Sequence, residues 1–156
     1  MRKATLKDLD WLYETALSHR EQLPYIRKDY IKKAVEDGRV LINKSAFLIW
    51  LKYKRKTKVA EGFYTAVGDV VIKEIVESEQ GSGAATEICS WMKETWPNVD
   101  LWALIREDNP RSIRFHEKNG WLVEGKTSWS KGTIPGVVTV KRGRECLLTH
   151  LFTNTK

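Results

Sequence analysis

Val70-Val71-Ile72-Lys73-Glu74-Ile75-Val76 is β-branched and apolar, and it runs into Glu77-Ser78-Glu79-Gln80-Gly81-Ser82-Gly83. From Ala84 to Trp96 the pattern changes period, with Ile88, Trp91, Met92 and Thr95 on one helical face. The stretch therefore reads as strand, glycine turn and helix, closed by Pro97-Asn98. A helix start exposes unpaired N–H groups and a partial positive charge, and both suit a phosphate. Glycines let an anion approach the backbone. The same turn can equally be a tight reversal that binds nothing. It is not a P-loop, because no Gly-Lys-Ser/Thr follows, and Ala85 and Thr86 stand where a dinucleotide fingerprint needs its later residues.

Working outward, Arg2 to Thr5 reads as a short strand, and Thr5 with Asp8 has the spacing of a helix-capping box. Leu9, Leu12, Tyr13, Ala16 and Leu17 follow at helical spacing. Past Pro24, a second helix from Asp29 buries Tyr30, Ile31, Ala34 and Val35 and stops at Gly38. Strand texture begins at Val40. Ala46 to Tyr53 reads as a strand, Lys54 to Lys58 as a charged turn, and Val59 to Val67 as the antiparallel partner. After the central helix, Asp100 to Arg106 is a strand, and Asn109-Pro110 opens a helix that ends at Asn119-Gly120. Trp121 to Gly125 and Val137 to Lys141 are the last strands, joined by a loop containing Ile134-Pro135-Gly136. The order βααβββαβαββ is that of one α/β (α+β) domain over residues 1–141, with a mixed sheet of about six or seven strands and helices on both faces. Residues 142–156 read as a tail or edge element. Its apolar Cys146-Leu147-Leu148 and Leu151-Phe152 are compatible with a homodimer contact or a docked tail.

The chain has 156 residues, 42% of them hydrophobic and 10% aromatic, so it can bury a core and is not disordered. No apolar run is long enough for a membrane span, and the opening residues lack a secretory leader's apolar stretch. Cys89 and Cys146 form no Cys-x-x-Cys pair, and the expectation is a reduced, cytoplasmic protein. His19, His116 and His150 are far apart in sequence, so no metal site is expected. The balance of 27 Lys+Arg against 20 Asp+Glu, formally +7, favours anionic partners.

Two segments together resemble the GNAT superfamily of acyl-CoA-dependent N-acyltransferases. The first is Gln80-Gly81-Ser82-Gly83-Ala84-Ala85, similar to the family's Gln/Arg-x-x-Gly-x-Gly/Ala between its fourth strand and third helix. The second is the helix from Asn109 through Phe115 and His116 to Gly120-Trp121, which resembles the family's asparagine-led, aromatic helix. The resemblance covers roughly residues 2–141, and the compact, basic texture is similar to small phage-encoded members. It implies that the fourth and fifth strands splay apart and that acetyl-CoA, or another acyl-CoA, is the cofactor. The N–H groups of Gln80, Gly81, Ser82, Gly83, Ala84 and Ala85 would hold its pyrophosphate. The pantetheine arm would follow Ile75 and Val76, and Asn109, Arg111 and Ser112 would meet it near the thiol. Asn109 is also an ordinary helix cap.

Two departures from the family stand out. The turn after Val76 is about one residue shorter than the common form. His116 occupies the place where the family often has a tyrosine that protonates the departing thiolate; an imidazole can either supply that proton or simply pack.

Direct acyl transfer needs a neutral amine, a donor for the developing oxyanion, and a proton for the thiolate. The Val76 N–H is the analogous donor. Glu74 interrupts the apolar phase of Val70, Ile72 and Val76, which makes it a candidate base or a structural carboxylate paired with Lys73 or Arg106. Asp69 is the second candidate base, or a turn residue after Gly68. Tyr53, Tyr64 and Trp50 are candidates for the acceptor side, with Trp50 also readable as core, and Ser128 and Ser130 offer hydroxyls from a loop.

The amine acceptor is a small molecule, a protein or a nucleic acid. The cluster Lys52, Lys54, Arg55, Lys56 and Lys58 fits solubility or nucleic-acid contact, and other basic residues fit CoA phosphates. GNAT proteins that modify tRNA or DNA are known, and a GNAT fold kept as a silent binding module is the competing reading. A nucleotide site of another α/β fold is disfavoured, because a γ-phosphate lysine and a metal-binding acid pair are both missing.

Overall fold

A computed structural model describes residues 1–19 and 26–144. Pro24, Cys146, Leu147, Leu148, His150, Leu151 and Phe152 lie outside the described residues. The elements are β1 (Arg2–Lys3), a 3-10 turn (Leu6–Asp8), α1 (Leu9–Leu17), α2 (Lys28–Glu36), β2 (Val40–Asn43), β3 (Ala46–Lys52), β4 (Thr57–Ala60), β5 (Phe63–Thr65), β6 (Val70–Glu77), α3 (Ala84–Thr95), β7 (Leu101–Arg106), α4 (Pro110–Lys118), β8 (Leu122–Trp129) and β9 (Ile134–Lys141). Seven strands form a mixed sheet in the order β1-β2-β3-β6-β7-β9-β8, and β4-β5 is a separate hairpin. The chain divides into two compact units, Met1–Leu51 with Lys73–Trp91, and Lys52–Ile72 with the chain from Met92 onward. Among the described residues no helix is long and apolar enough to cross a membrane.

In the first unit, β2 and β3 are a tight antiparallel pair, from Val40 opposite Ile49 to Asn43 opposite Ala46. Lys44 takes a left-handed φ of 54° in the two-residue turn between them. Ile31, Ala34 and Val35 of α2 and Leu12 and Ala16 of α1 sit at helical spacing, and they pack with Val40, Ile42, Phe47, Ile49 and Val76. Alternation along β3 sends Trp50 to the other face, where its ring lies 5.7 Å from that of Trp91 in α3.

In the second unit, β6 pairs in parallel with β7 at Val70–Leu101 and Val71–Trp102. β7 pairs with β9 over six residues, and β8 forms a bulged hairpin with β9. Two buried carboxylates lie beside this sheet. Asp100 accepts hydrogen bonds from the N–H groups of Gly143 and Arg144 (3.0 and 3.2 Å) and from the guanidinium groups of Arg142 and Arg144 (3.0 and 2.7 Å). Burial raises its pKa, but these bonds and the Arg144 charge outweigh that and hold it below the ordinary carboxylate value.

Two strand readings are corrected. Val59 to Val67 is not one strand paired with Ala46 to Tyr53, because Gly62 at φ 79° folds it on itself as β4-β5. The antiparallel hairpin partner of β3 is instead β2. Ile134, Pro135 and Gly136 belong to β9 rather than to a loop; the turn is Ser130 to Thr133, with left-handed φ at Ser130, Lys131 and Gly132. Ser128 consequently lies in a strand.

Gly143 sits where a Cβ would approach the Val99 carbonyl to 2.2 Å, and backbone cannot yield as a side chain does. Gly143→Ala is expected to destabilise the fold by about 1–3 kcal/mol in urea denaturation; an unchanged midpoint would show that this packing is not tight.

Candidate active site

The turn between β6 and α3 needs glycine for its backbone. Gly81 and Gly83 have φ of 81° and 85°, and a Cβ added to either would meet nothing within 4 Å. What fixes the type there is conformation, and the space beside both residues is open. Among the described residues the N–H groups of Gly81 and Gly83 make no hydrogen bond. The turn is anchored from behind: the N–H and the hydroxyl of Ser78 both donate to the Ser45 carbonyl at 2.9 Å. The Asn43 amide donates to the Ala84 carbonyl (3.0 Å) and to Glu87 (2.8 Å), which also pairs with Lys44. A rigid strand pair thus holds an exposed helix start.

That helix start already carries an anion. One oxygen of Glu77 accepts from the Ser82 hydroxyl at 2.7 Å and from the Ala85 N–H at 3.3 Å. A carboxylate stands here where the turn chemistry suits phosphate. The sequence reading did not single out Glu77; an acid shortly before the glycines was the available signal.

Glu74 is half-buried on β6, and among the described residues its carboxylate forms no hydrogen bond or ion pair. Burial raises its pKa to about 7, against the opposing charge of Lys73. Arg106 binds Asp108 at 2.6 and 2.9 Å. Tyr30 senses Glu74: burial, and then the Glu74 charge, raise its phenol pKa, with Arg39 opposing. The sequence had placed Tyr30 only on a buried helical face, and Arg39 had no role. Val76 is buried in the first unit's core and Ile75 is half-buried.

On α4, Asn109 caps the helix by accepting the Ser112 N–H at 3.3 Å, with Pro110 following. Arg111 is exposed and Ser112 half-buried. His116 fits its packing alternative. It is 2% exposed and its Nδ1 lies 2.8 Å from the Ser112 carbonyl, so that nitrogen carries the proton and donates it. Burial lowers its pKa, with the Ser112 bond partly opposing, so the ring is neutral and Nε2 is a bare lone pair. Its rings of contact are Phe115 and Trp121, edge-on at 5.4 and 5.8 Å. Held this way, the imidazole keeps its proton on Nδ1, bound to the Ser112 carbonyl.

Asp69 fits its structural alternative. It is fully buried and takes the N–H of Ala66 and of Asp100, the Trp102 indole and the Arg144 guanidinium at 2.8–3.1 Å. Three of these bonds fall on one carboxylate oxygen and one on the other. Tyr53 is half-buried, with its phenol pushed up by burial and then by the Asp69 charge. Tyr64 is half exposed beneath Lys56, and Ser128 is exposed on β8. Trp50 and Trp102 are core.

No protein-family model matches the sequence, and no curated protein matches it. Solved structures do match. A GNAT-family acetyltransferase from Bacillus cereus aligns over 90% of this chain and 94% of its own, with TM-score 0.65 and 18% identity. One from Streptococcus agalactiae reaches TM-score 0.68 at 15% identity, covering 90% and 93%. The chain has the GNAT acetyltransferase fold. NAA60 of Arabidopsis thaliana, solved in complex with acetyl-CoA, shares this fold with TM-score 0.66 and 13% identity over 89% and 96% of the two chains.

Between the carboxyl's ordinary pKa and about 7, the folded protein keeps a proton on Glu74 that the unfolded chain has lost. Stability therefore falls as pH rises through this window. Urea midpoints at pH 5 and pH 8 should show a smaller loss for Glu74→Gln than for the wild type; identical losses would mean that Glu74 is not desolvated.

Proposed function

We propose that the protein is a cytoplasmic acyl-CoA-dependent N-acetyltransferase, passing an acetyl group from the CoA thioester directly to a primary amine. The observation that carries this reading is the GNAT fold with its strand, glycine turn and helix intact, and with Glu74 desolvated on that same strand. The turn fits a pyrophosphate: its glycine N–H groups are unbonded, the space beside them is open, and it opens a 12-residue helix.

Bound acetyl-CoA supplies an activated acetyl thioester. The chain's own residues do the rest. Backbone N–H groups from Gln80 to Ala85 hold the pyrophosphate, and the β6 backbone at Ile75 and Val76 meets the arm, with the Val76 N–H as oxyanion donor. Asn109, Arg111 and Ser112 are the further cofactor contacts. Glu74, with a pKa near working pH, takes a proton from the acceptor ammonium, directly or through water, and so frees the amine to attack. His116 keeps the α4 turn packed.

The buried, neutral His116 favours a second reading, a GNAT-fold binding module without catalysis. Thiol release separates the two. Purified protein with acetyl-CoA and a panel of polyamines, peptide N-termini, tRNA and DNA should release free thiol with at least one acceptor. Glu74→Gln should slow that release by on the order of 100-fold. Acetyl-CoA binding without thiol release supports the module, and no binding contradicts both readings. Glu77→Gln removes the competing carboxylate from the helix start and should tighten acetyl-CoA binding about 2- to 5-fold by calorimetry. Unchanged or weaker affinity would show that Glu77 does not compete.

A further inference from the structure

The formal charge of +7 is not spread evenly over the chain. Residues 52–67 hold five cations (Lys52, Lys54, Arg55, Lys56 and Lys58) against one acid, Glu61, a surplus of four. Among the described residues, about half of the cations elsewhere have carboxylate partners, as in Lys28–Asp10, Lys33–Asp37, Lys44–Glu87 and Lys126–Glu107. In this segment Lys58 pairs with Glu61 at 2.7 Å, whereas Lys52, Lys54, Arg55 and Lys56 are exposed and have no carboxylate within reach among the described residues. Holding four or five positive charges this close costs repulsion, which a polyanion would relieve.

An aromatic ring is set among these charges. Tyr64 is 50% exposed, large for an aromatic on a paired strand. It lies directly opposite Lys58 in the β4-β5 ladder, and the Lys56 ammonium sits 5.0 Å from its ring centre. Period-2 alternation puts Lys56, Lys58 and Tyr64 on one face. The ring borders a groove of about 680 Å³ together with Phe63, Trp102 and Arg144. The hairpin is fixed from beneath, because the Phe63 ring fills the position where Gly125 lacks a side chain, at 2.3 Å from a built Cβ.

An exposed ring on a two-strand ribbon, with one ammonium over it and further exposed cations close by in sequence, is an arrangement that stacks an unpaired base and holds its flanking phosphates. We propose that the turn Lys52–Lys56 and the β4-β5 hairpin form a docking site for single-stranded nucleic acid, with phosphates on the lysines and Arg55 and a base on Tyr64. A membrane surface needs a wider apolar face than Tyr64 and Val67 offer, and an acidic peptide has no use for the ring. None of its residues belongs to the glycine turn or to β6.

Fluorescence anisotropy of labelled 20-nucleotide single-stranded RNA and DNA tests the proposal directly, without acetyl-CoA. Binding should weaken with salt at a log–log slope of about −2 to −3, for three to four phosphate contacts on a single strand. The triple variant Lys54→Ala, Arg55→Ala, Lys56→Ala should lower both affinity and slope. Tyr64→Ala should lose about 5- to 100-fold in affinity with the slope unchanged. Acetyl-CoA binding and the thermal midpoint serve as folding controls. The proposal is overturned if the triple variant binds as the wild type does, if Tyr64→Ala has no effect, or if polyglutamate or phosphatidylserine vesicles bind as tightly as the oligonucleotides.

Discussion

The helix start of α3 depends on a backbone path that only glycine takes without strain. With φ above 80° at Gly81 and Gly83, the chain turns sharply off β6, the space beside both glycines is open, and their N–H groups make no hydrogen bond among the described residues. The rest of the first unit keeps that turn in place. Ser78 is tied to Ser45, Asn43 ties the first residue of α3 to β2, and the antiparallel β2-β3 pair carries both anchors. Its stiffness comes from the aliphatic core that α1 and α2 press onto β2 and β3, in which Val76 of β6 also takes part. The exposed glycine turn before a firmly held helix suits an anion, and Glu77 already supplies one from within the chain, at the Ala85 N–H.

The second unit handles charge in the opposite way. Asp69 and Asp100 are almost wholly buried, which is tolerable because each accepts several hydrogen bonds and both share Arg144. Arg142 adds a bond to Asp100 and two to Glu124, and burial of Gly143 against Val99 seats the segment that brings both arginines. The carboxylates that look most available for chemistry in the sequence are therefore not all alike. Asp69 is saturated, whereas Glu74 is desolvated and unbonded. Glu74 is thereby brought to change protonation near neutral pH.

Much of this was legible in the residues. Periodicity placed α1 to α4, the β6-turn-α3 unit and the Asn109 cap, because those features depend on neighbours in sequence. It missed the division of 59–67 at Gly62 and the strand character of Ile134 to Gly136, where a glycine and a proline mislead in opposite directions. The fates of His116 and Asp69 were out of reach. They are set by the Ser112 carbonyl, Trp121, Trp102 and Arg144, and nothing in one sequence shows which side chains surround a given group. The charge on Lys52 to Lys58 was plain, but its coupling to Tyr64 required the register of β4 with β5.

The central claim is that the amides opening α3 receive the pyrophosphate of acetyl-CoA. Residue-resolved amide hydrogen exchange by NMR, with and without acetyl-CoA, tests it most directly. The N–H groups of Gly81, Ser82, Gly83 and Ala85 should exchange more slowly when acetyl-CoA is added, while those of the exposed Ser130 to Thr133 turn should not change. Acetyl-CoA that binds and leaves exchange at residues 80–85 unaltered would contradict the account.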